Sequence, residues 1–244
     1  YDIQAGTHIN AWQNDDDFDD TTVFWDIPMP SFSARFPNGE VHGYEWPLGV
    51  DVTISIDDPD NGPGEDYTDT QTVIVAPWDP STTGVVFPLD GFTLEPGQII
   101  TMTDGVTVKE HTVTDVTITA VDPALDTANG TAAAGTNVYV DLCNYSGCDF
   151  RDVTADGSGN WNTTFTDIVA GDDLSAIQDD DDGDHTAFEW HVPNPFFNVH
   201  PTEDYIQGFD WPIGETVSLI IDSTDLGSLE ADPNTGYVDF DLSG

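Results

Sequence analysis

The chain repeats itself, and that constrains it more than any other feature. Shifted by 165 residues, positions 2–57 fall on 167–222 without a gap, and about 21 of the 56 are identical. Asp2-Ile3-x-Ala5-Gly6 matches Asp167-Ile168-x-Ala170-Gly171, and Asp15-Asp16-Asp17-x-Asp19 matches Asp180-Asp181-Asp182-x-Asp184. Trp25 matches Trp190, and Pro28-x-Pro30-x-Phe32 matches Pro193-x-Pro195-x-Phe197. Gly43-x-x-Trp46-Pro47-x-Gly49 matches Gly208-x-x-Trp211-Pro212-x-Gly214. The match resumes with a shift of 153, where Asp79-Pro80 meets Asp232-Pro233 and Phe87-x-Leu89-x-Gly91 meets Phe240-x-Leu242-x-Gly244. The first copy therefore carries about 12 extra residues, within the acidic loop Asp57–Asp69. Such self-similarity is the mark of an array of structural units. The shift implies a window on that array, opening in the tail of one unit and closing inside another, with a last copy about two strands short.

Each unit reads as strands. Period-2 alternation of apolar and polar residues runs through Val50–Asp57, Gln71–Ala76, Gly84–Leu89, Gln98–Thr103, Val113–Ala120, Asn137–Leu142, Asn160–Thr166 and Thr216–Ile221. Turn sequences such as Pro37-Asn38-Gly39, Asp104-Gly105 and Asp156-Gly157 separate them. Short strands at this spacing predict an all-β chain of tandem sandwich modules. The expected divisions are residues 1–26 (tail of a preceding repeat and an acidic connector), 27–111 (module A), 112–171 (module B), 172–190 (a second acidic connector) and 191–244 (an incomplete second module A).

Module B resembles the bacterial Ig-like repeat domains of prokaryotic surface proteins and adhesins. The residues that carry the resemblance are Gly130-Thr131-Ala132-x-x-Gly135-Thr136-x-Val138-x-Val140 and Val153-Thr154-Ala155-Asp156-Gly157-x-Gly159-Asn160-Trp161. They cover about a quarter of the chain. The resemblance implies an Ig-like sandwich in which the first stretch makes two early strands and the second a hairpin ending on a core aromatic. It implies a spacer or scaffold role.

Charge narrows the function. The 244 residues carry 47 acidic and only three basic side chains (Arg35, Lys109 and Arg151), a formal charge of −44. Phosphate recognition needs Lys and Arg, so nucleic acid is excluded as a partner. Anionic membrane would repel the chain, and no apolar run reaches the ~20 residues of a membrane span. There is no basic, apolar N-terminus, so any signal peptide lies upstream or has been removed. Self-repulsion on this scale opposes compaction, so folding calls for cations or high salt.

Three acidic segments are candidate calcium sites, because a hard cation with six to eight oxygen ligands relieves crowded carboxylates. In Gln178–Glu189 the EF-hand pattern places Asp180, Asp182 and Gly183 at its third, fifth and sixth positions and Glu189 at its twelfth, with Gln178 at the first and Asp184 alongside. The earlier copy keeps Asp15, Asp17 and Asp19 but has Phe18 and Phe24 where the pattern wants Gly and Glu. The inserted loop offers Asp58 and Asp60. The rival reading of each is a solvated acidic loop. Cys143-x4-Cys148 suits a disulfide closing a hairpin in an oxidising compartment, with half a metal site as the rival. Asn129, Asn144 and Asn162 head glycosylation acceptor patterns. His185 and His191 flank Trp190 beside the acidic loop, so a transition-metal role is one reading and polar surface the other. Trp25, Trp46, Trp190 and Trp211 recur at equivalent positions, which suits core or interface packing, with sugar stacking as the alternative. Lys109 has no recognisable partner for an intramolecular isopeptide bond.

No nucleophile elbow, phosphate loop, zincin or dinucleotide motif appears, and no organic cofactor is expected. The sequence therefore predicts a non-enzymatic extracellular or cell-surface structural protein, a stalk, sheath, surface layer or filament. Its modules would stand end to end with calcium-stiffened acidic joints. Self-association is expected head to tail, an exposed sheet edge accepting a strand from a neighbour. The alternative is an adhesion module that takes a glycan or another cell-surface ligand.

Overall fold

A computed structural model describes residues 3, 5–17, 19–144 and 146–243, and these contain strands, turns and loops but no helix. The first two strands, β1 (His8–Asn14) and β2 (Asp20–Asp26), form a hairpin that pairs with no other strand among the described residues. No helix long and apolar enough to cross a membrane occurs among them.

The first sandwich contains β3 (Ser31–Phe36), β4 (Glu40–Tyr44), β5 (Asp51–Asp57), β6 (Tyr67–Thr72), β7 (Ile74–Val75), β8 (Thr83–Phe87), β9 (Ile99–Thr103) and β10 (Val108–Thr112). One sheet runs β3-β4-β8-β7 and the facing sheet β10-β9-β5-β6. These are the A-B-E-D and G-F-C-C′ orders of an immunoglobulin-like sandwich. Alternation does the sorting: Val52, Ile54 and Ile56 of β5 point inward while their neighbours do not. They meet Phe32, Val41, Trp46, Phe87, Ile100 and Met102 in one closed core. Full burial of each such side chain contributes about 1.5–3 kcal/mol.

The repeated Gly-x-x-Trp motif has a packing reason. A Cβ on Gly43 would stand 3.0 Å from the Trp46 ring, and one on Gly208 would stand 2.6 Å from the Trp211 ring. The intervening Glu45 and Asp210 both have φ of 57°, which folds each Trp back under its own strand. Trp46 then donates its Nε1–H to the carbonyl of Ser31 at 3.1 Å.

The second sandwich contains β11 (Thr117–Asp122), β12 (Thr127–Thr131), β13 (Asn137–Asn144), β14 (Gly147–Thr154), β15 (Asn160–Thr164), β16 (Asp173–Asp179) and β17 (His185–His191). The order β11-β12-β15 is A-B-E, and β14-β13-β16-β17 is C′-C-F-G. Two expectations change here. Residues 172–190, read as a connector, hold the F and G strands, and the Asp run is the turn between them. Leu174 and Ala176 on β16 are buried in the second core, which explains why a segment so acidic is strand. The Asp156–Asn160 turn carries the chain from one sheet to the other and is not a hairpin, since β14 pairs with β13 and β15 with β12 and not with each other; Trp161 is nonetheless in the core.

The third group has β18 (Phe196–His200), β19 (Tyr205–Phe209), β20 (Thr216–Ile221), β21 (Thr224–Glu230) and β22 (Val238–Asp241), ordered β18-β19-β22 and β20-β21 around a smaller core.

The first two sandwiches do not stand end to end. Strand β17 pairs in parallel with β3, His185 against Ser33 through Phe188 against Phe36. This fuses the two sheets edge to edge into one of eight strands, β14-β13-β16-β17-β3-β4-β8-β7. It also covers two sheet edges that would otherwise be open to other chains.

Candidate cation-binding joint

The turn at 180–184 is built by its first aspartate. Asp180 Oδ1 accepts the backbone N–H groups of Asp182 at 3.2 Å and Asp184 at 3.0 Å. Asp15 Oδ1 does the same for Asp17 at 3.2 Å and Asp19 at 3.1 Å. A side-chain hydrogen bond with Asp17 foremost, and then these backbone N–H groups, outweigh desolvation and hold the Asp15 carboxyl below its ordinary range. One repeated residue thus encodes one repeated turn, before any ligand is invoked.

The second turn also meets the neighbouring sandwich. Lys109 and His111 lie on the inward face of β10, and both reach it. Lys109 Nζ donates to the Asp182 carbonyl at 2.8 Å and stands 2.7 Å from Asp182 Oδ2 and 3.4 Å from Asp184 Oδ2. His111 Nδ1 meets Asp180 Oδ2 at 2.8 Å, and its Nε2 meets Thr186 Oγ1 at 2.9 Å. Thr186 Oγ1 accepts the Thr114 N–H at 2.9 Å, and Asp184 Oδ1 accepts that of Phe32 at 2.9 Å. A ring protonated on Nδ1 satisfies both contacts of His111 without a charge. Lys109 draws the Asp182 carboxyl down. Asp184 is fully buried, and burial outweighs the Phe32 N–H and Lys109 to push its pKa up to about 7. Its Oδ2 is buried with no hydrogen-bond partner and faces the ammonium.

A third contact completes the joint. Arg35 of β3 forms an ion pair with Glu189 of β17, and Asn38 Nδ2 donates to the same carboxylate at 2.8 Å. Two of the three basic residues therefore clamp this junction. The remaining one, Arg151, pairs with Asp149 and lies 5.0 Å over the Phe165 ring.

The residues proposed as calcium ligands divide accordingly. Asp180, Asp182 and Asp184 present oxygens within 4.8 Å of one another, as do Asp15, Asp17 and Asp19. Gln178 is engaged elsewhere, its Nε2 donating to Thr136 Oγ1 at 2.7 Å and to the Asn137 carbonyl at 3.2 Å. Glu189 belongs to Arg35. A strand advances ~3.3 Å per residue, so the five residues after Asp184 carry Glu189 roughly 16 Å along β17 instead of back to the turn. Asp58 and Asp60 share a turn in which Asp58 Oδ1 accepts the Asp60 N–H at 3.0 Å, and neither joins a carboxylate cluster among the described residues. Phe18 lies outside the described residues.

Cys143 and Cys148 are cross-strand partners and form the disulfide that closes the β13–β14 hairpin. Asn129 and Asn162 face each other across β12 and β15 and share a hydrogen bond, while Asn144 holds its own turn by accepting the Ser146 N–H at 2.8 Å. Trp46 is enclosed, Trp190 and Trp211 are half-buried, and Trp25 on the unpaired hairpin is 66% exposed. His185 and His191 sit at opposite ends of β17, so they do not converge on one ion.

His191 makes the next junction. Its Nδ1 meets Asp173 at 2.7 Å and its Nε2 meets Asp210 at 3.1 Å, while Asp210 also accepts the Asn194 N–H at 2.8 Å. The matching pair in the first copy is His8 and Asp26, with acid and base exchanged across the strands. Burial opposes protonation of His191, but Asp173 and Asp210 outweigh it and raise the pKa. A base whose folded pKa is raised contributes stability that is full below its ordinary value of ~6.5 and is lost as pH rises through the folded value. The half-exposed site limits this to about half a kcal/mol. The thermal midpoint should fall between pH 6 and 8, and His191→Gln should flatten that fall; an unchanged profile would remove His191 from the account.

Reading the sequence missed Lys109, His111, Thr186 and Arg35 as joint residues. The only available signal was scarcity, since a lone lysine in so acidic a chain has to stand somewhere.

No family model matches the sequence, and no curated protein matches it. Among solved structures, it is similar to a tetra-tandem repeat in the extending region of a large adhesion protein, at 12% identity and a TM-score of 0.25, over 88% of this chain and 66% of that one. It is also similar to a 1.5-MDa bacterial ice-binding adhesin (14% identity, TM-score 0.22, 86% and 83% covered) and to the BSP domain of a biofilm-associated protein (16%, 0.26, 68% and 29%). The immunoglobulin-like assignment rests on the strand orders above.

Proposed function

We propose that this chain is a stiff, non-enzymatic segment of an extracellular surface array. The observation that carries the reading is the β17–β3 junction, where a continuous sheet is clamped by Lys109 and Arg35. A flexible linker lets neighbouring modules swing, whereas a shared ladder makes bending cost hydrogen bonds. The Cys143–Cys148 disulfide supports an oxidising, extracellular setting. Self-association along the array extends the same logic.

Calcium enters the reading at Asp15, Asp17 and Asp19. The matching triad already holds a cation, the ammonium of Lys109. Among the described residues no lysine or arginine pairs with the first triad, which leaves three exposed carboxylates for a divalent ion. Calcium at 100 times its dissociation constant would stabilise the folded chain by about 2.7 kcal/mol. The test is thermal unfolding in calcium and in chelator at constant ionic strength, for the chain and for Asp17→Asn. We expect a calcium-specific rise in midpoint that Asp17→Asn loses. An equal rise with sodium chloride would reduce the acidity to a screened surface. The enclosed Trp46 and half-buried Trp190 and Trp211 favour this structural reading over stacking of a glycan on a Trp row.

A further inference from the structure

The sequence offers Lys109 no partner for an intramolecular isopeptide bond, and the fold supplies one. The chain's only lysine is 8% exposed and ends against two carboxylates of the 180–184 turn. Its Nζ stands 3.4 Å from Asp184 Oδ2, an oxygen bonded to the carbon that an amine attacks. That oxygen is buried with no hydrogen-bond partner, so no donor ties it down. The other oxygen, Oδ1, accepts the Phe32 N–H at 2.9 Å, which fixes a donor where negative charge develops during attack. Asp182 Oδ2 lies 2.7 Å from the same Nζ, within reach of its proton. Amine, electrophile, oxyanion donor and proton carrier thus meet at one point of the joint.

We propose that Lys109 and Asp184 condense in the folded chain to an isopeptide bond that joins the first two sandwiches covalently. A proton passes from the ammonium by way of Asp182 to Asp184 Oδ2, which leaves a neutral amine beside a carboxylic acid. Nζ attacks Cγ, and Oδ1 carries the negative charge against the Phe32 N–H. Asp182 then moves a second proton from the nitrogen to Oδ2, the Cγ–Oδ2 bond breaks and water departs. The nitrogen keeps one of its three hydrogens, the other two leave with Oδ2, and nothing is oxidised or reduced. Condensation turns two desolvated charges into one neutral amide. A pair held in place reacts at an effective concentration on the order of 100,000 M, which offsets the excess of water outside. The ion pair described above is the reactant, and the linked chain accumulates from it. This goes beyond the surface-array reading, which the ion pair alone serves as well.

The scarcity of basic residues makes the test direct. Trypsin cuts after Lys and Arg, so the unlinked chain, unfolded and reduced, yields pieces that end at Arg35, Lys109, Arg151 and Gly244. In the linked chain position 109 is not cut, and its side chain ties residues 36–151 to 152–244, so everything after Arg35 runs as one piece. The folded chain, followed over days by intact mass spectrometry, should lose the mass of one water as this piece replaces the other three. Chain held unfolded in guanidinium should do neither. Lys109→Arg keeps a cation in the turn but no attacking amine, and should hold its full mass. Asp182→Ala removes the proton carrier and should slow the reaction about 100-fold. A folded parent chain that keeps its full mass and is cut after Lys109 overturns the proposal. Loss of one water with Lys109 still cut overturns it too, because that marks ring closure at an Asp-Gly step such as Asp182-Gly183. An undiminished rate in Asp182→Ala overturns the proton route. None of these results touches the array reading.

Discussion

Replacing Lys109 by methionine should cost the folded chain about 3 kcal/mol at pH 8, with a smaller loss at pH 5. Removing one partner of a buried ion pair is more damaging than never having had the pair, because the other charge stays desolvated. Lys109 is 8% exposed and faces the fully buried Asp184. At pH 8 that carboxyl, with a pKa of about 7, is largely ionised and would lose its counter-ion. At pH 5 it is neutral and has less to lose. Burial raises this acid, so its ionisation weakens the fold progressively as pH climbs from its ordinary range through 7. Denaturant unfolding at both pH values measures the difference. Emptied of its ammonium, the 180–184 triad should also begin to respond to calcium, the response proposed above for the 15–19 triad. Equal stability of the variant and the parent at pH 8 would mean that the turn's own hydrogen bonds suffice to hold the joint.

Gly130→Ala should destabilise the second sandwich at or above the ~3 kcal/mol upper end for overpacking. A Cβ there would lie 1.9 Å from the carbonyl oxygen of Thr117 and 2.2 Å from the Trp161 ring. The oxygen belongs to the paired strand β11 and cannot turn aside as a side chain could. Relief requires parting β11 from β12 or expelling Trp161, whose Nε1–H is bonded to the Thr131 carbonyl at 3.2 Å. Gly157→Ala is the control: a Cβ there meets nothing within 4 Å, and its effect should stay within about 0.5 kcal/mol. Chemical denaturation of the pair decides the matter, and similar midpoints would contradict the packing of Trp161 over β12.

Much of this architecture was legible. Alternation located β5, β9, β13 and β20, and the Gly-x-x-Trp spacing marked positions where a ring needs a missing Cβ. Among the strands that alternation did not locate, β16 and β17 show how the signal is masked. β16 and β17 carry Asp, Gln and His among their apolar residues, and the Asp run between them dominates the local composition. The EF-hand register failed for a related reason. It presumes a chain that curls back on the ion, and β17 runs straight away from the turn.

What the sequence determined by itself was the repeat, the all-β character and the turn built on the first Asp of each ladder. These are local properties, set by side-chain alternation and by hydrogen bonds spanning two to four residues. Only the tertiary structure decided that the acidic turn is an F–G turn, that the sandwiches join edge to edge, and that the lone lysine stands in the second triad. Those outcomes depend on pairings across 70 residues and more, such as Lys109 with Asp182 and Phe32 with Asp184. No local pattern records them, because what selects them is the cost of leaving a buried charge or a strand edge without a partner.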